Sequence, residues 1–131
     1  MTVIKETTVA ERVAQALEYL DQAEAKFGAG DTRQAAEDLY IASVQAVIAA
    51  SIQRGWDYYS HRANKNATFR LAKEYDDPFL AAGFTAAEKF HVHFFHGGME
   101  DYQITGDRYT VRLYVERMLN LVEEFEDNPT A

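Results

Sequence analysis

The sequence predicts an all-α protein, an up-and-down bundle of four to five helices that forms a single domain over residues 1–131. Apolar residues recur at spacings of three and four over long stretches, which is the period of a helix with a buried face. Only two prolines and seven glycines occur, and they lie between these stretches. Hydrophobic residues make up 47% of the chain, and nothing repeats at a period near 34 residues, so one packed bundle is favoured over a disordered chain or a solenoid.

The first helix begins with a capping box. Thr8 and Glu11, three residues apart, can each satisfy a free backbone amide of the other. An apolar stripe then continues as far as Phe27, and the segment 28–30, which contains two glycines, ends the helix. A turn this short makes the first two helices an antiparallel hairpin.

The second helix is predicted from an Asp31 cap to Arg54 and is apolar on most of its sides. Such a helix lies at the centre of its own bundle or pairs with another subunit. We therefore expect a two-fold homodimer. We also expect the bundle to bury five large side chains of the first two helices almost fully: Leu17, Leu20, Leu39, Val44 and Val47.

The second half of the chain contains two or three further helices. One is predicted from about Arg62 to Tyr75, and the segment 79–84 that follows is ambiguous, with a single helical turn as one interpretation. A third capping box, at Thr85 and Glu88, predicts a helix that the glycines at 97–98 end. A loop over 99–106, a last helix over about 107–125 and a frayed tail over 128–131 complete the chain.

Composition excludes several classes of protein. With no cysteine, the chain has no disulfide, no thiolate nucleophile and no cysteine-based zinc or iron–sulfur site. The first six residues lack the apolar core of a secretory signal, and no apolar run approaches the roughly 18 residues of a membrane span. We therefore expect a cytoplasmic protein that is not in a membrane. A net charge of −8, from 13 basic and 21 acidic residues, disfavours nucleic-acid binding over the whole surface but leaves room for a local basic patch.

Three histidines fall within six residues, at positions 91, 93 and 96. At about 100° per residue, His91 shares an arc with Phe90, Phe94 and Phe95, so it is expected to face the core. A buried imidazole needs a hydrogen-bond partner, which would mark a polar pocket. His93 and His96 are expected to face outward, where they are either solvated or part of a metal site. No carboxylate stands beside them at helical spacing, so we assign no metal ligands and no cofactor.

The segment 61–75 carries four basic residues against one acid, a local charge of +3. On a helix, Arg62, Lys65, Arg70 and Lys73 share one face with an aromatic residue, and Ala67, Leu71 and Tyr75 form the opposite, core-facing stripe. Basic residues near the aromatic connector that holds Trp56 and Tyr59 are typical of a surface for phosphates and stacked bases. The alternative is a solvated face that pairs with the acidic excess of the protein.

Arg54 and His61, with six residues between them, flank Asp57 and precede Arg62. An arginine that holds a phosphate and a histidine that moves a proton are the minimum for metal-free RNA cleavage. Such a spacing also arises by chance in many chains. No phosphate-binding glycine loop and no serine-nucleophile motif is present.

Taken together, four stretches resemble the HEPN superfamily, in particular its PaREP-type branch: residues 30–37, 44–48, 54–56 with 60–62, and 90–96. The resemblance covers about residues 10–122. It implies a helical bundle that dimerises, an RNA-directed function, and in many members a ribonuclease motif of Arg and His working across the dimer. This chain departs from the pattern in two ways. The motif of the superfamily lies late in the bundle, whereas Arg54 and His61 lie early, and His93 and His96 stand where the branch has Asn and Glu.

Three functions therefore remain open. The first is a dimeric binding or interaction module that associates with RNA or a nucleotide. The second is a metal-independent endoribonuclease that uses Arg54, His61 and His91, which we expect to lie close enough together to share a polar pocket. The third is a small-ligand binder in a pocket of histidines and aromatics, with Trp56, Asp57, Tyr59, Arg62, His93 and His96 as candidate contacts. The resemblance also implies a nucleotidyltransferase as a partner protein.

Overall fold

The computed structural model describes residues 7–128, so the N-terminal six residues and 129–131 of the predicted tail lie outside the described part. The predicted all-α bundle is confirmed, with five helices in the described range. They are α1 Val9–Gly28, α2 Thr32–Arg54, α3 His61–Glu74, α4 Pro78–His96 and α5 Asp101–Asp127.

Helix α2 is the centre of the bundle and packs against all four other helices. Its side chains are buried on most sides within the same chain, including Leu39, Ala46 and Val47. The apolar surface on which the dimer expectation rests is therefore covered inside the monomer. By length and composition α2 could span a membrane, which corrects the expectation that no apolar run is long enough. However, 67% of its most apolar stretch is buried inside the bundle, as in the core helix of a soluble protein.

Helices α2 and α3 run in roughly the same direction. Tyr40, near the middle of α2, bonds to His61 at the start of α3, whereas Arg54 at the end of α2 reaches Tyr75 just beyond the end of α3. The connector 55–60 therefore runs back along the bundle. At the other three connections the chain reverses direction, as the contacts between successive helices indicate.

The predicted core is confirmed at Leu20, Leu39 and Val47, which are at most 6% exposed. Val44 is only half-buried, and Leu17 is 48% exposed, so the prediction for Leu17 is wrong. The face of α1 that packs on α2 is instead formed by Ala16, Leu20, Ala23 and Phe27. Leu17 lies beside this face, on the side toward α5, and it stays exposed because α1 barely touches α5.

Helix α4 begins seven residues before the predicted Thr85 cap, so the third capping box is wrong. Asp77 caps the helix by accepting a hydrogen bond from the Phe79 amide, and Pro78 occupies the first turn, where its missing N–H costs nothing. Thr85 lies inside the helix, and its hydroxyl donates to the Ala81 carbonyl oxygen. The ambiguous segment 79–84 is thus part of a long helix.

Helix α5 replaces most of the predicted loop over 99–106. Glu100 and Gln103 form a capping box at its start, which outweighs the helix-weakening effect of Gly106 in the second turn.

The first two caps are as predicted: Thr8 accepts from the Glu11 amide, and Asp31 accepts from the Gln34 amide. The third helix also agrees with its prediction to within one residue at each end.

Candidate functional site

Five side chains from three helices meet in one group, held together by hydrogen bonds and one ring stack, which we call the histidine cluster: Glu37, Tyr40, His61, Glu88 and His91. Glu37 and Tyr40 are three residues apart on α2, and Glu88 and His91 are three apart on α4, so each pair lies on one face of its helix. The antiparallel packing of α2 and α4 brings these two faces together.

His61 enters the cluster from the first turn of α3. Ser60 caps this helix by accepting from the Ala63 amide, which fixes the backbone beside the imidazole. His61 Nδ1 lies 2.8 Å from the Tyr40 hydroxyl, and Nε2 lies 2.9 Å from Glu88 Oε2. A carboxylate only accepts, so Nε2 carries the proton, and Nδ1 of the neutral ring accepts from Tyr40.

His91 is held in a second imidazole–carboxylate pair. Its Nδ1 lies 2.9 Å from Glu37 Oε1, and its ring stacks on Tyr40 with centroids 4.2 Å apart. The carboxylate again fixes the tautomer, which leaves Nε2 of the neutral ring as a bare acceptor. Within the described residues Nε2 has no hydrogen-bond partner, and the side chain is 39% exposed. This nitrogen can therefore take a proton from a bound molecule.

Tyr40 connects the two imidazoles. Its partial burial, together with the nearby carboxylates Glu37 and Glu88, raises the pKa of its hydroxyl above the ordinary value of 10.0. The phenol therefore stays protonated at neutral pH and donates to His61. Glu88–His61–Tyr40 and Glu37–His91 are two hydrogen-bonded sets joined by the stack of Tyr40 on His91. Among these five side chains only the two imidazoles are substantially exposed.

The structure brings together two of the three predicted catalytic residues. His61 and His91 both contact Tyr40, so the prediction that the three catalytic candidates lie close together is confirmed for this pair. It is wrong for Arg54, which lies at the opposite end of α2, about 21 Å from Tyr40 at 1.5 Å per residue. The Arg54 guanidinium donates to the Ala50 carbonyl oxygen and lies over the Phe125 ring. Spacing along the connector could not reveal this, because α3 starts beside the middle of α2.

The predicted orientations of His91 and His93 are reversed. His93 is the buried one, 6% exposed, and its Nδ1 accepts from the Met99 amide at 3.2 Å, which holds the turn after α4. The buried stripe of α4 continues from Phe90 to His93 rather than to Phe95, which is 59% exposed. His96 is exposed at the end of α4, as expected.

The remaining candidate contacts lie on the connector and on α3 rather than among the hydrogen-bonding partners of the cluster. Trp56 and Asp57 line a separate cavity of about 220 Å³ with Arg70, whose guanidinium lies 4.0 Å from the indole centroid. Tyr59 is 82% exposed. Arg62 is exposed beside His61.

The basic face of α3 is present largely as predicted. Arg62, Arg70 and Lys73 are exposed, and Lys65 approaches Glu88 of the cluster at 3.6 Å. The opposite stripe is buried at Ala67 and Leu71 but not at Tyr75, which is 44% exposed because it lies just past the end of the helix. Asn64 and Thr68, which were not part of the predicted core-facing stripe, are also buried.

The model of the archaeal PaREP1/PaREP8 family matches residues 11–115, which is most of the chain. The chain belongs to this family. No curated protein and no solved structure matches it. The matched range includes every member of the histidine cluster, from Glu37 to His91.

In this PaREP1/PaREP8 protein, sequence reasoning missed three of the five cluster residues. Glu37 lies on a helix that the sequence predicts to be apolar on most of its sides, and Glu88 is interpreted as the second residue of a capping box. Tyr40 is not distinguished from the apolar residues around it on α2. The signal that could have found them is spacing, since each lies three residues from another cluster member on a helix or faces one across the bundle. Over residues 7–128, no group of three or more His, Asp or Glu side chains could hold a metal ion.

Proposed function

We propose that this PaREP1/PaREP8 protein is a cytoplasmic, HEPN-type binding module that takes up RNA or a nucleotide at the histidine cluster. The observation that carries the proposal is the pair of half-exposed imidazoles, His61 and His91, each bonded to a carboxylate and joined through Tyr40. The His91 side chain is 39% exposed, and its Nε2 has no hydrogen-bond partner among the described residues, so it is available to a bound molecule.

Charge around the cluster supports a phosphate-bearing ligand. Arg62 and Lys65 lie within the first two turns of α3, close to His61. The N-terminal end of a helix also carries a partial positive charge. A phosphate at this end of α3 would interact with these groups, while His91 faces the sugar or base. The homodimer and the nucleotidyltransferase partner are part of the proposal, and both now rest on the HEPN resemblance.

The test is binding of a fluorescent single-stranded RNA, followed by anisotropy in the presence of EDTA, with AMP as the competing nucleotide. His91→Phe should weaken binding by about three- to tenfold, the loss of one ordinary hydrogen bond accepted by Nε2. His61→Ala should weaken binding as well, because it releases Tyr40 and Glu88 from the positions they hold in the cluster. His96→Ala is the matched control, because His96 is exposed on α4, the helix that carries His91, but is not a member of the cluster. Equal affinity of all three variants and the wild type would refute the proposal.

A second function, a metal-independent endoribonuclease, is favoured by one specific feature of the cluster. Glu37 orients His91 so that Nε2 can accept the proton of a ribose 2′-hydroxyl. The 2′-oxygen would then attack the phosphorus to form a 2′,3′-cyclic phosphate as the bond to the 5′-oxygen breaks, and the Tyr40 hydroxyl, or a His61 that enters the reaction with both nitrogens protonated, would give a proton to the leaving oxygen. The phosphate contact predicted for Arg54 would pass to Lys65 or Arg62.

Incubation with total RNA in EDTA separates the two functions. An endoribonuclease produces a ladder of fragments that His61→Ala and His91→Phe abolish and that His96→Ala leaves unchanged. Binding without a ladder supports the module alone. Arg54→Ala should have little effect on cleavage, because its side chain lies at the other end of α2.

A further inference from the structure

A groove with a volume of about 560 Å³ runs between α1 and α5, away from the histidine cluster. One wall is an apolar stripe of α1 with a period of four residues, Val9, Val13 and Leu17. The other wall and the floor are Leu119 and Val122 of α5. The groove exists because α1 and α5 both pack on α2 and barely touch each other.

The groove leaves apolar side chains of both helices partly exposed to water. Leu17 is 48% exposed, and Val9, Val13 and Leu119 are only half-buried. Ala10 and Ala14, both exposed, continue the α1 wall outward, and such small side chains allow a second backbone to approach closely. From Val9 to Leu17 the wall extends about 12 Å, or roughly two helical turns.

The polar residues of the groove have one sign of charge. Glu123 and Glu126 line it on the α5 side, and its lining within the described residues includes no lysine or arginine. On the α1 side Glu18 and Asp21, both exposed, follow Leu17. A second copy of this chain, with a net charge of −8, would bring these carboxylates against each other.

We propose that this groove docks a basic amphipathic helix of a partner protein. Its apolar side chains, at spacings of three and four, would pack between Leu17 and Leu119, and its lysines or arginines would pair with Glu123 and Glu126. The complementary charge distinguishes this partner from a second copy of the chain. Because the groove is only about two turns long, the contact is a small one, typical of transient association.

The test uses the full chain and a synthetic helical peptide with leucines at positions i, i+3, i+4 and i+7 and lysines on its other faces. A second peptide of the same composition, with the leucines scattered, controls for attraction by charge alone. Leu17→Glu should weaken binding of the first peptide by about tenfold or more. Val92→Glu is the matched control, since Val92 is 55% exposed on α4, outside the groove.

The double variant Glu123→Lys, Glu126→Lys should lose affinity for the lysine peptide and gain affinity for the same peptide with glutamates in place of the lysines. The proposal would be overturned if the peptide with scattered leucines bound as tightly as the amphipathic peptide, or if Leu17→Glu bound the amphipathic peptide as tightly as the wild type does. A dimer that Leu17→Glu dissociates would also overturn it, because the occupant would then be a second copy. A large gain of peptide affinity on deletion of residues 1–6 would identify the chain's own N-terminal segment as the occupant and also overturn it.

Discussion

Gly83 of α4 lies directly against Tyr114 of α5, so closely that a Cβ atom at position 83 would come within 2.4 Å of Tyr114 Cβ. Both residues are fully enclosed in the core. The Tyr114 hydroxyl lies 2.9 Å from Thr68 Oγ1 on α3, so this contact joins the three helices that follow the connector. The absence of a side chain at position 83 therefore sets the distance between α4 and α5.

Gly83→Ala should destabilise the protein by about 1–3 kcal/mol, because the backbone of α4 must move away from Tyr114 to relieve the clash. Gly106→Ala is the control. Gly106 lies inside α5 with open space around its Cβ position, so alanine there should stabilise the helix by about 0.5–1 kcal/mol. Urea unfolding measures both changes. A Gly83→Ala variant as stable as the wild type would contradict the close approach.

Leu39 of α2 and Leu17 of α1 lie on neighbouring helices but differ in burial, with relative exposures of 0% and 48%. Leu39→Ala should cost about 2–5 kcal/mol, since it leaves a cavity at the centre of the bundle. Leu17→Ala should change the free energy of unfolding by less than about 1 kcal/mol, because its side chain is already half in water. Thermal unfolding of the two variants measures the difference. Equal losses would show that Leu17 is part of the core.

Much of the fold could be predicted from periodicity and caps, because these are local properties of the chain. The starts of α4 and α5 were missed where two local signals competed. Thr85 looked like a cap, although the Asp77–Pro78 pair is the stronger start, and Gly106 looked like a loop residue, although Glu100 and Gln103 already cap a helix there.

The site could be predicted only in part, because it depends on which helices meet. His61 and His91 were expected to be close, since each stood among aromatic residues. The direction of α3 relative to α2, which excludes Arg54 and brings in Tyr40, follows from a connector that runs back along the bundle. Nothing local in the sequence encodes that path.

Glu24 of α1 gives the protein an acid-sensitive contact. The hydrogen bond from Arg108, with the charges of Arg108 and Arg112, lowers the pKa of Glu24 below its ordinary value of 4.5, although partial burial opposes this. A lowered pKa in the folded state means that the contribution to stability is present above pH 4.5 and is lost as the pH falls through the folded value. Arg108 also lies over the Phe27 ring, so the contact joins α1 to α5 near the core.

Glu24→Gln should therefore lower the melting temperature at pH 7, and the difference from the wild type should shrink steadily below pH 4.5. Glu18→Gln is the control, because it removes a carboxylate from the same helix without touching Arg108. Thermal unfolding at a series of pH values measures both. A Glu24→Gln difference that stays constant down to pH 3 would show that the carboxylate charge does not stabilise the fold.

Tyr40 allows the role of the hydroxyl in the histidine cluster to be separated from that of the ring. Tyr40→Phe keeps the stack on His91 and removes the hydrogen bond to His61 Nδ1. Because the raised pKa keeps the phenol protonated at neutral pH, the wild-type hydroxyl donates this bond throughout the physiological range. His61 Nε2 stays bonded to Glu88, so in the variant the ring keeps one partner and loses the other.

We expect Tyr40→Phe to weaken binding of single-stranded RNA by about three- to tenfold, because His61 loses the Nδ1 partner that helps to hold its ring in place. The fold should lose no more than about 0.5–1.5 kcal/mol, the contribution of one ordinary hydrogen bond, because the ring packing is unchanged. Tyr102→Phe, at a site 76% exposed on α5, is the matched control and should bind normally. Fluorescence anisotropy and thermal unfolding of the same samples give both quantities. If Tyr40→Phe binds like the wild type while His61→Ala does not, the hydroxyl is dispensable and His61 acts through Glu88 alone.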